Sequence, residues 1–133
     1  MAHEQLTVAV KNGMGQLVRL KAIRDTGAPD SVIGEKLART LNLNIGPTED
    51  SYSTVGSAAE IKFAGVCRGV EVKLSERLVV TVNLYVVTGT TSLFLLANDV
   101  FNSGCCDIVG VVADKGYYVV QLGDVVDVVP FEK

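Results

Sequence analysis

The sequence predicts a single mostly-β domain, and three observations lead to this prediction. With 133 residues, the chain is long enough to bury one hydrophobic core. Hydrophobic residues make up 48% of the chain but aromatic residues only 6%, so we expect an aliphatic core. The 13 glycines and the many β-branched residues favour strands and tight turns over helices.

The charge and the hydropathy pattern argue against several classes of function. The net charge is −3 and no cluster of Lys and Arg occurs, so we expect no nucleic-acid partner. No apolar run approaches the roughly 18 residues of a membrane span. The N-terminus lacks the basic and then apolar pattern of a signal peptide. The sequence therefore predicts no membrane partner.

The cysteine pattern argues against a disulfide framework and a zinc site. Cys67, Cys105 and Cys106 are odd in number, and neither a CxxC spacing nor a nearby histidine accompanies them. We therefore expect no metal and no cofactor. One interpretation makes the three thiols small buried hydrophobes. The other makes Cys105 or Cys106 a redox-sensitive thiol near an interface.

The single histidine limits the hydrolytic mechanisms that this chain can use. His3 lies at the N-terminus, where we do not expect its side chain to be held in place. Ser-His-Asp and Cys-His mechanisms both need a positioned imidazole as the base. Any hydrolytic chemistry must therefore depend on carboxylates.

The first half of the chain predicts a hairpin and then a helix. Gln5–Lys11 and residues 16–23 alternate as strands do, and residues 12–15 between them have the composition of a turn. Residues 34–41 are the best helix candidate, since Leu37, Ala38 and Leu41 share one helical face. Strands are predicted again over residues 66–74 and 78–86 from their period-2 alternation.

We interpret residues 1–133 as one domain and assign further parts to it. Residues 52–64 read as two strand arms with small residues at the tip, either a mobile hairpin that closes over something or an ordinary surface hairpin. An apolar strand and a short helix are predicted over residues 93–104. C-terminal strands follow over residues 106–131. The N-terminal hairpin covers residues 5–23, and a loop with an acid covers residues 25–28.

That loop carries the motif around which the chain is organised. In Asp25-Thr26-Gly27-Ala28 an acid stands at the end of a strand and is followed by a small hydroxyl residue and a glycine. The carboxylate is thereby placed at a strand-to-loop corner, where glycine allows another backbone to approach closely. The simpler alternative is an Asx turn that only ends the strand.

Together these features resemble the retropepsin-type aspartic proteases of the retroviral, retrotransposon and Ddi1-like group. The tetrapeptide matches the family's D-T/S-G-A/S motif, and Leu95-Leu96-Ala97-Asn98-Asp99 matches its downstream motif. The resemblance implies a single-domain acid protease fold: a closed β-barrel-like sheet with a flap hairpin over residues 52–64 and one or two short helices. It also implies a homodimer and an extended peptide or polyprotein as substrate.

The resemblance also assigns roles to residues. Asp25 of each chain is the catalytic acid, because peptide hydrolysis by carboxylates needs two that share one proton. The chain has one such motif, so the second Asp25 comes from an identical chain. Thr26 and Gly27 support the active site. The substrate-binding residues implied by the family are Ala28, Asp30, Val32, Val55, Gly56, Ser57 and Leu95.

Four positions depart from the family pattern. Arg24 replaces the usual aliphatic residue before the catalytic acid, and if buried it needs an acid partner. Ala97 replaces a glycine, so its methyl group is expected to crowd the loop behind Asp25. Pro29 and Asn98 stand where some retroviral members have an acid and an arginine that form an ion pair.

The sequence thus predicts a homodimeric aspartic endopeptidase that processes a retroelement- or virus-like polyprotein, in the cytoplasm or within a virus-like particle. A non-catalytic retropepsin-like domain for dimerisation or peptide binding is the alternative that Arg24 and Ala97 motivate. A third possibility is a small monomeric β-barrel binding module without a carboxylate pair. We expect residues 125–131 to exchange strands at the dimer interface, because so apolar an edge invites aggregation if left unpaired.

Overall fold

A computed structural model describes residues 4–25, 27–48, 51–53, 60–89, 92–101 and 105–132 of the chain. Most of the described residues lie in strands and few in helix, so the mostly-β prediction is confirmed. Within the described residues there are ten strands and one helix. Their bounds are β1 Gln5–Lys11, β2 Leu17–Arg24, β3 Val32–Gly34, α1 Glu35–Thr40, β4 Ser51–Ser53, β5 Glu60–Lys73, β6 Val79–Val87, β7 Phe94–Leu96, β8 Asp107–Val112, β9 Tyr117–Leu122 and β10 Val125–Glu132.

Six of these strands close into a barrel. Going round it, β1 pairs with β2, β2 with β7, β7 with β3, β3 with β6, β6 with β5, and β5 with β1 again. β1 completes the ring because, on the side away from β2, its two ends pair with different strands. Leu6 pairs with β10, whereas Val10 pairs with β5. The expected closed β-barrel-like sheet is therefore confirmed.

The core of the barrel is aliphatic, as the composition predicts. Every second residue of β1 and of β6 is buried, so each strand presents one face to the interior and one to solvent. The largest side chains that are almost completely buried are Leu and Ile, followed by Val. Burial of this apolar surface is the main favourable contribution to folding.

The helix lies where it is predicted. Its first turn carries Glu35 and its last turn Arg39, which complement the helix dipole and form an ion pair at 2.8 Å. The chain leaves the helix through Asn42, whose φ of 54° is left-handed. No helix in the described parts of the chain is long and apolar enough to cross a membrane.

The second helix, predicted within residues 93–104, is not present in the residues that the structure describes. The N–H groups of Val100 and Phe101 both donate to the carbonyl of Ala97, so this stretch makes a single turn. Phe101 then forms an isolated bridge with Cys106. The rest of the predicted helix, residues 102–104, lies outside the described residues.

The C-terminal strands form a three-stranded antiparallel sheet attached to the barrel. Strand β10 pairs with β9 over residues 125–130, and only its last two residues, Phe131 and Glu132, also pair with β1. Over residues 125–130 the described neighbour of β10 is therefore β9 alone. The end of this sheet is β8.

A glycine close to the barrel wall gives a test of this packing. A Cβ on Gly65 would lie 2.3 Å from the carbonyl oxygen of Gly46 and 2.7 Å from Cγ2 of Ile45. Both contacts are too short, so we expect Gly65→Ala to lower the free energy of unfolding by about 1–3 kcal/mol.

Gly46→Ala is the matched control, because a Cβ there would meet its nearest atoms at 3.7 and 3.8 Å. Its effect should stay within about 0.5 kcal/mol. Urea denaturation followed by circular dichroism measures both variants. Equal stability of the two would contradict the close approach of Gly65 to Gly46.

Candidate active site

The loop that carries Asp25 lies at the end of strand β7. It leaves β2 and enters β3, and β7 lies between these two strands. Leu95 pairs with Ile23 of β2 in a parallel ladder and with Val32 of β3 in an antiparallel one. The two ends of the loop are thus fixed on either side of a single three-residue strand. The position of β7 therefore determines the position of the loop.

Asp25 is the first residue after β2 and is half-buried. Its backbone N–H donates to the carbonyl of Leu96 at 3.0 Å. Its Oδ1 accepts a hydrogen bond from the N–H of Gly27, also at 3.0 Å. A Cβ on Gly27 would lie 3.5 Å from this oxygen, so glycine keeps one side of the carboxylate open. The bond to Gly27 is also the one an Asx turn makes, so it does not separate the two interpretations of the motif.

Hydrogen bonds to the downstream motif hold the far end of the loop. Ser31, which is completely buried, donates from its N–H and from its hydroxyl to the two carboxylate oxygens of Asp99, at 3.0 and 2.6 Å. The same hydroxyl accepts from the N–H of Ala97 at 3.0 Å. A buried hydroxyl and a carboxylate are stable here because each satisfies the other.

Backbone contacts complete this connection. The N–H of Asn98 donates to the carbonyl of Ala28 at 3.2 Å, and the N–H of Tyr85 donates to the carbonyl of Ser31 at 3.1 Å. Residues 96–99 therefore contact the loop at its beginning, its middle and its end. The structure thus brings together the Asp25 loop and the downstream motif, the two segments that the family resemblance links.

The predicted substrate-binding residues divide into two groups. Of those described, Ala28, Asp30 and Leu95 are half-buried, while Val32 is buried and contributes to the floor under the loop. Val55, Gly56 and Ser57 lie outside the described residues, as does the support residue Thr26. The arms of the predicted hairpin pair with each other from Ser51↔Lys62 to Ser53↔Glu60, and its tip lies outside the described residues.

A cavity of about 230 Å³ lies beside this loop. Asp30 of the loop and Asp99 of the downstream motif both contribute to its wall, so two acidic residues border one space. The full lining consists of Asp30, Thr81, Val82, Asn83, Tyr85 and Asp99.

Arg24 does not have the direct acid partner that we expected. Within the described residues it forms no ion pair, and its Nε atom is buried without a hydrogen-bond acceptor. Its guanidinium carbon instead lies 4.8 Å from the ring centre of Tyr118 on β9. A cation over an aromatic face gains about 0.5–2 kcal/mol. An aromatic ring thus partly replaces the acid.

An acid is nevertheless part of this cluster. The hydroxyl of Tyr118 donates to the carboxylate of Glu4, and its ring stacks on Phe131 at 4.4 Å. Burial raises the pKa of Tyr118, and the hydrogen bond to Glu4 raises it further. The neutral phenol of Tyr118 therefore contacts both the guanidinium of Arg24, at the end of β2, and the carboxylate of Glu4, just before β1.

The structure accommodates a second departure from the family pattern, Ala97. Ala97 is buried and is not among the residues with positive φ, so its position does not demand glycine. The N–H of Asp25 still reaches Leu96, so the expected crowding does not break that bond.

Two of the three cysteines are buried, as the first interpretation expects. Cys67 and Cys106 are buried, whereas Cys105 is exposed. Burial raises the pKa of all three thiols, that of Cys106 to about 12. Their reactive thiolate forms are therefore disfavoured at neutral pH.

Sequence reasoning missed the residues that fix the loop. From the sequence, Asp99 is named only as the last residue of the downstream motif, and no role is assigned to Ser31 or Tyr118. The sequence does contain a signal for Asp99 and Ser31, since each is a polar residue beside an otherwise apolar strand segment. Two such residues in neighbouring strands favour a buried hydrogen-bonded pair.

Comparison with known proteins identifies the fold. No protein-family model and no curated protein sequence matches the chain. The crystal structure of the retroviral protease-like domain of Ddi1 from Leishmania major superposes with a TM-score of 0.61 and covers 100% of this chain and 96% of that one. The chain has a retropepsin-like fold. At 15% identity the similarity shows the fold and not the activity.

Removing the hydroxyl of Ser31 tests the anchor of the loop. We expect Ser31→Ala to lower the free energy of unfolding by about 1–3 kcal/mol, because it leaves the N–H of Ala97 and one oxygen of Asp99 without their partner. Urea denaturation gives the value. Ser92→Ala makes the same substitution at an exposed serine and is the control, and a loss as large there would contradict the assignment.

The cluster around Tyr118 predicts an alkaline limit to stability. A tyrosine whose pKa is raised in the folded state contributes stability that is complete below its ordinary value of about 10 and declines as the pH rises above it. Above this pH we expect the free energy of unfolding to fall less steeply in Tyr118→Phe than in the wild type, by up to about 1.4 kcal/mol per pH unit. Denaturation curves at pH values of about 9, 10 and 11 measure the slope of the free energy of unfolding against pH. Tyr117→Phe is the control. If stability falls with pH as steeply in Tyr118→Phe as in the wild type, Tyr118 is not the cause of the alkaline limit.

Proposed function

We propose that the chain is a homodimeric aspartic endopeptidase. The observation that carries the proposal is the placement of Asp25: a half-buried carboxylate on a loop that β7 and the Ser31–Asp99 pair hold from behind. Such support fixes the loop while leaving one side of the carboxylate open beside Gly27. Catalytic groups need this combination of access and fixed geometry.

The chemistry requires two such carboxylates. The ionised one accepts a proton from the attacking water, and the protonated one donates to the scissile carbonyl. Two carboxylates about 3 Å apart cannot both be ionised, so they share one proton. Because the chain carries one Asp-Thr-Gly, the proposal places a second copy across a two-fold axis, with both Asp25 loops facing it.

The proposal assigns substrate contacts to the surroundings of the loop. Gly27 lets an extended peptide approach the carboxylates, and Thr26 holds the two loops together across the axis. The hairpin built on β4 and β5 acts as the flap, with Val55, Gly56 and Ser57 closing over the peptide. Ala28, Asp30, Val32 and Leu95 line the side-chain pockets, so specificity comes from alternating residues of the substrate.

The biological substrate in this proposal is a retroelement- or virus-like polyprotein, cleaved in the cytoplasm or within a virus-like particle. The retropepsin-like fold supports a protease in general, and the remaining steps rest on the resemblance of the two motifs. The alternative is a domain of the same fold that dimerises and binds peptides without cutting them.

Substitution of the acid decides between these functions. We expect Asp25→Asn to reduce peptide cleavage by about 10²–10⁴-fold or more, because an amide cannot accept the proton of the water. Cleavage of a mixed peptide library between about pH 4 and 7 measures activity, since a shared-proton pair operates in this range. A statine-type transition-state mimic should block the wild type.

Asp114→Asn is the matched control, because it makes the same change in a turn remote in sequence from the motif. Sedimentation velocity shows whether each variant keeps the oligomeric state of the wild type. A dimeric wild type without cleavage would favour the non-catalytic alternative. Cleavage that survives in Asp25→Asn would overturn the assignment of the catalytic acid.

A further inference from the structure

Strand β10 has a second edge, on the side away from β9. On that side β1 pairs only with Phe131 and Glu132, so the edge over residues 125–130 has no strand neighbour among the described residues. A cavity of about 350 Å³ lies there, between Pro130, the middle of β1 and the turn that joins β5 to β6. The edge is therefore open to a strand of another molecule unless something else closes it.

The direction of one hydrogen bond shows which backbone groups lie at this edge. The N–H of Phe131 donates at 2.8 Å to the carbonyl of Gly116, which directly precedes β9. The backbone groups of successive residues in a strand point to opposite edges, and β10 pairs with β9 without a register shift. Because Phe131 points towards β9, the backbone groups of Val126, Val128 and Pro130 point towards the second edge.

Each of these three residues lacks a free group that a new strand needs. The carbonyl of Val126 accepts a hydrogen bond from the guanidinium of Arg77 at 3.3 Å. The N–H of Val128 donates to Oδ1 of Asp127 at 2.9 Å. Pro130 has no N–H. An incoming strand would therefore have to displace a side chain at two positions and would find no donor at the third.

The β5–β6 turn holds the side chains that close the edge. The hydroxyl of Ser75 donates to Oδ2 of Asp127 at 2.6 Å and accepts from the N–H of Arg77 at 3.3 Å. The turn itself is fixed, because Leu74 and Leu78 are almost completely buried and the N–H of Leu74 donates to the carbonyl of Leu78 at 2.8 Å. One serine thus contacts both the acid and the arginine that occupy the edge.

The side chains of β10 make an unprotected edge hazardous. The strand carries four valines and contains no Lys or Arg. Val126 and Val128 are each 45% exposed. Apolar edge strands of this kind readily pair with strands of other molecules, and proteins commonly prevent this with lysine or proline. Since lysine is absent from β10, its protection must come from the proline and from the occupied backbone groups.

We propose that residues 74–78 form a strap that keeps the second edge of β10 from adding a strand of another molecule. Arg77 occupies the acceptor of Val126, and Ser75 holds Asp127 against the donor of Val128. These contacts are made by side chains that are half-buried or exposed. Loss of the strap therefore opens the edge without unfolding the barrel. The strap keeps folded chains apart, whatever reaction they catalyse.

Removal of the two strap side chains tests this proposal. We expect Ser75→Ala combined with Arg77→Ala to form assemblies larger than those of the wild type at least about tenfold faster, because two backbone positions lose their closing contacts. Sedimentation velocity and thioflavin T fluorescence follow the assembly of the full chain. Removal of Arg77 makes the net charge of −3 more negative by one, so charge repulsion acts against the expected result.

Ser92→Ala combined with Arg39→Ala is the matched control. It makes the same two changes at exposed residues outside the strap, so it should assemble as slowly as the wild type. Val128→Lys added to the strap variant should restore slow assembly, since a lysine on an edge strand hinders pairing. It also restores the net charge of the wild type, so charge repulsion cannot explain the recovery.

Amide hydrogen exchange gives a second measurement, on protein that has not assembled. In Ser75→Ala, Asp127 is no longer held, so the N–H of Val128 should exchange about 2- to 10-fold faster than in the wild type. The N–H of Phe131, bonded to Gly116, should keep its exchange rate. This single variant decides the matter even if the double variant fails to fold, a failure that circular dichroism would reveal.

Three results would overturn the strap. The first is assembly of the strap variant at the rate of the matched control. The second is assembly no faster than that of Gly65→Ala at equal stability, because lost stability would then be the cause and not an open edge. The third is unchanged exchange at Val128 in Ser75→Ala. None of these measurements depends on peptide cleavage, so the proposed protease can fail without affecting the strap.

Discussion

The hydrogen bonds between Ser31 and Asp99 fix the loop on which the candidate chemistry depends. Ser31 is completely buried, so its hydroxyl and N–H would be costly to leave without partners. Asp99 satisfies both and thereby ties the start of β3 to the turn that follows β7. Two apolar residues could fill the same space, but they would not define the orientation of the loop. Polar contacts in a core are most valuable where orientation matters.

The same logic explains the unusual arginine beside the acid. Arg24 ends β2, where its side chain is half-buried and cannot be fully hydrated. The ring of Tyr118 supplies a negative face, and the bond of its hydroxyl to Glu4 keeps the phenol neutral and oriented. Because Tyr118 belongs to β9, this contact joins the C-terminal sheet to the loop of Asp25. The position of that sheet is therefore coupled to the candidate site.

Local patterns account for what the sequence could predict. β1 has the predicted bounds, because alternation over seven residues is a strong signal that depends on the strand itself. The helix is also local, since its apolar face and its end are both visible within a few residues. The two motifs could be linked through family resemblance, and the structure places them side by side.

Contacts between distant segments could not be predicted in the same way. The pairing of Ser31 with Asp99 and of Arg24 with Tyr118 depends on the three-dimensional order of strands, which no local pattern contains. The strong strand pattern of residues 125–131 likewise said nothing about its neighbours. The described part of the second predicted helix makes a single turn, because a capping residue and a following apolar pair fit a turn as well as a helix.

The proposed chemistry imposes one requirement on the molecule. One carboxylate cannot accept a proton from water and donate one to the carbonyl in a single step, so one Asp25 is insufficient for the proposed reaction. In the proposal a second chain brings the missing acid, so the activity is coupled to assembly: the fraction of active sites follows the fraction of chains that are paired.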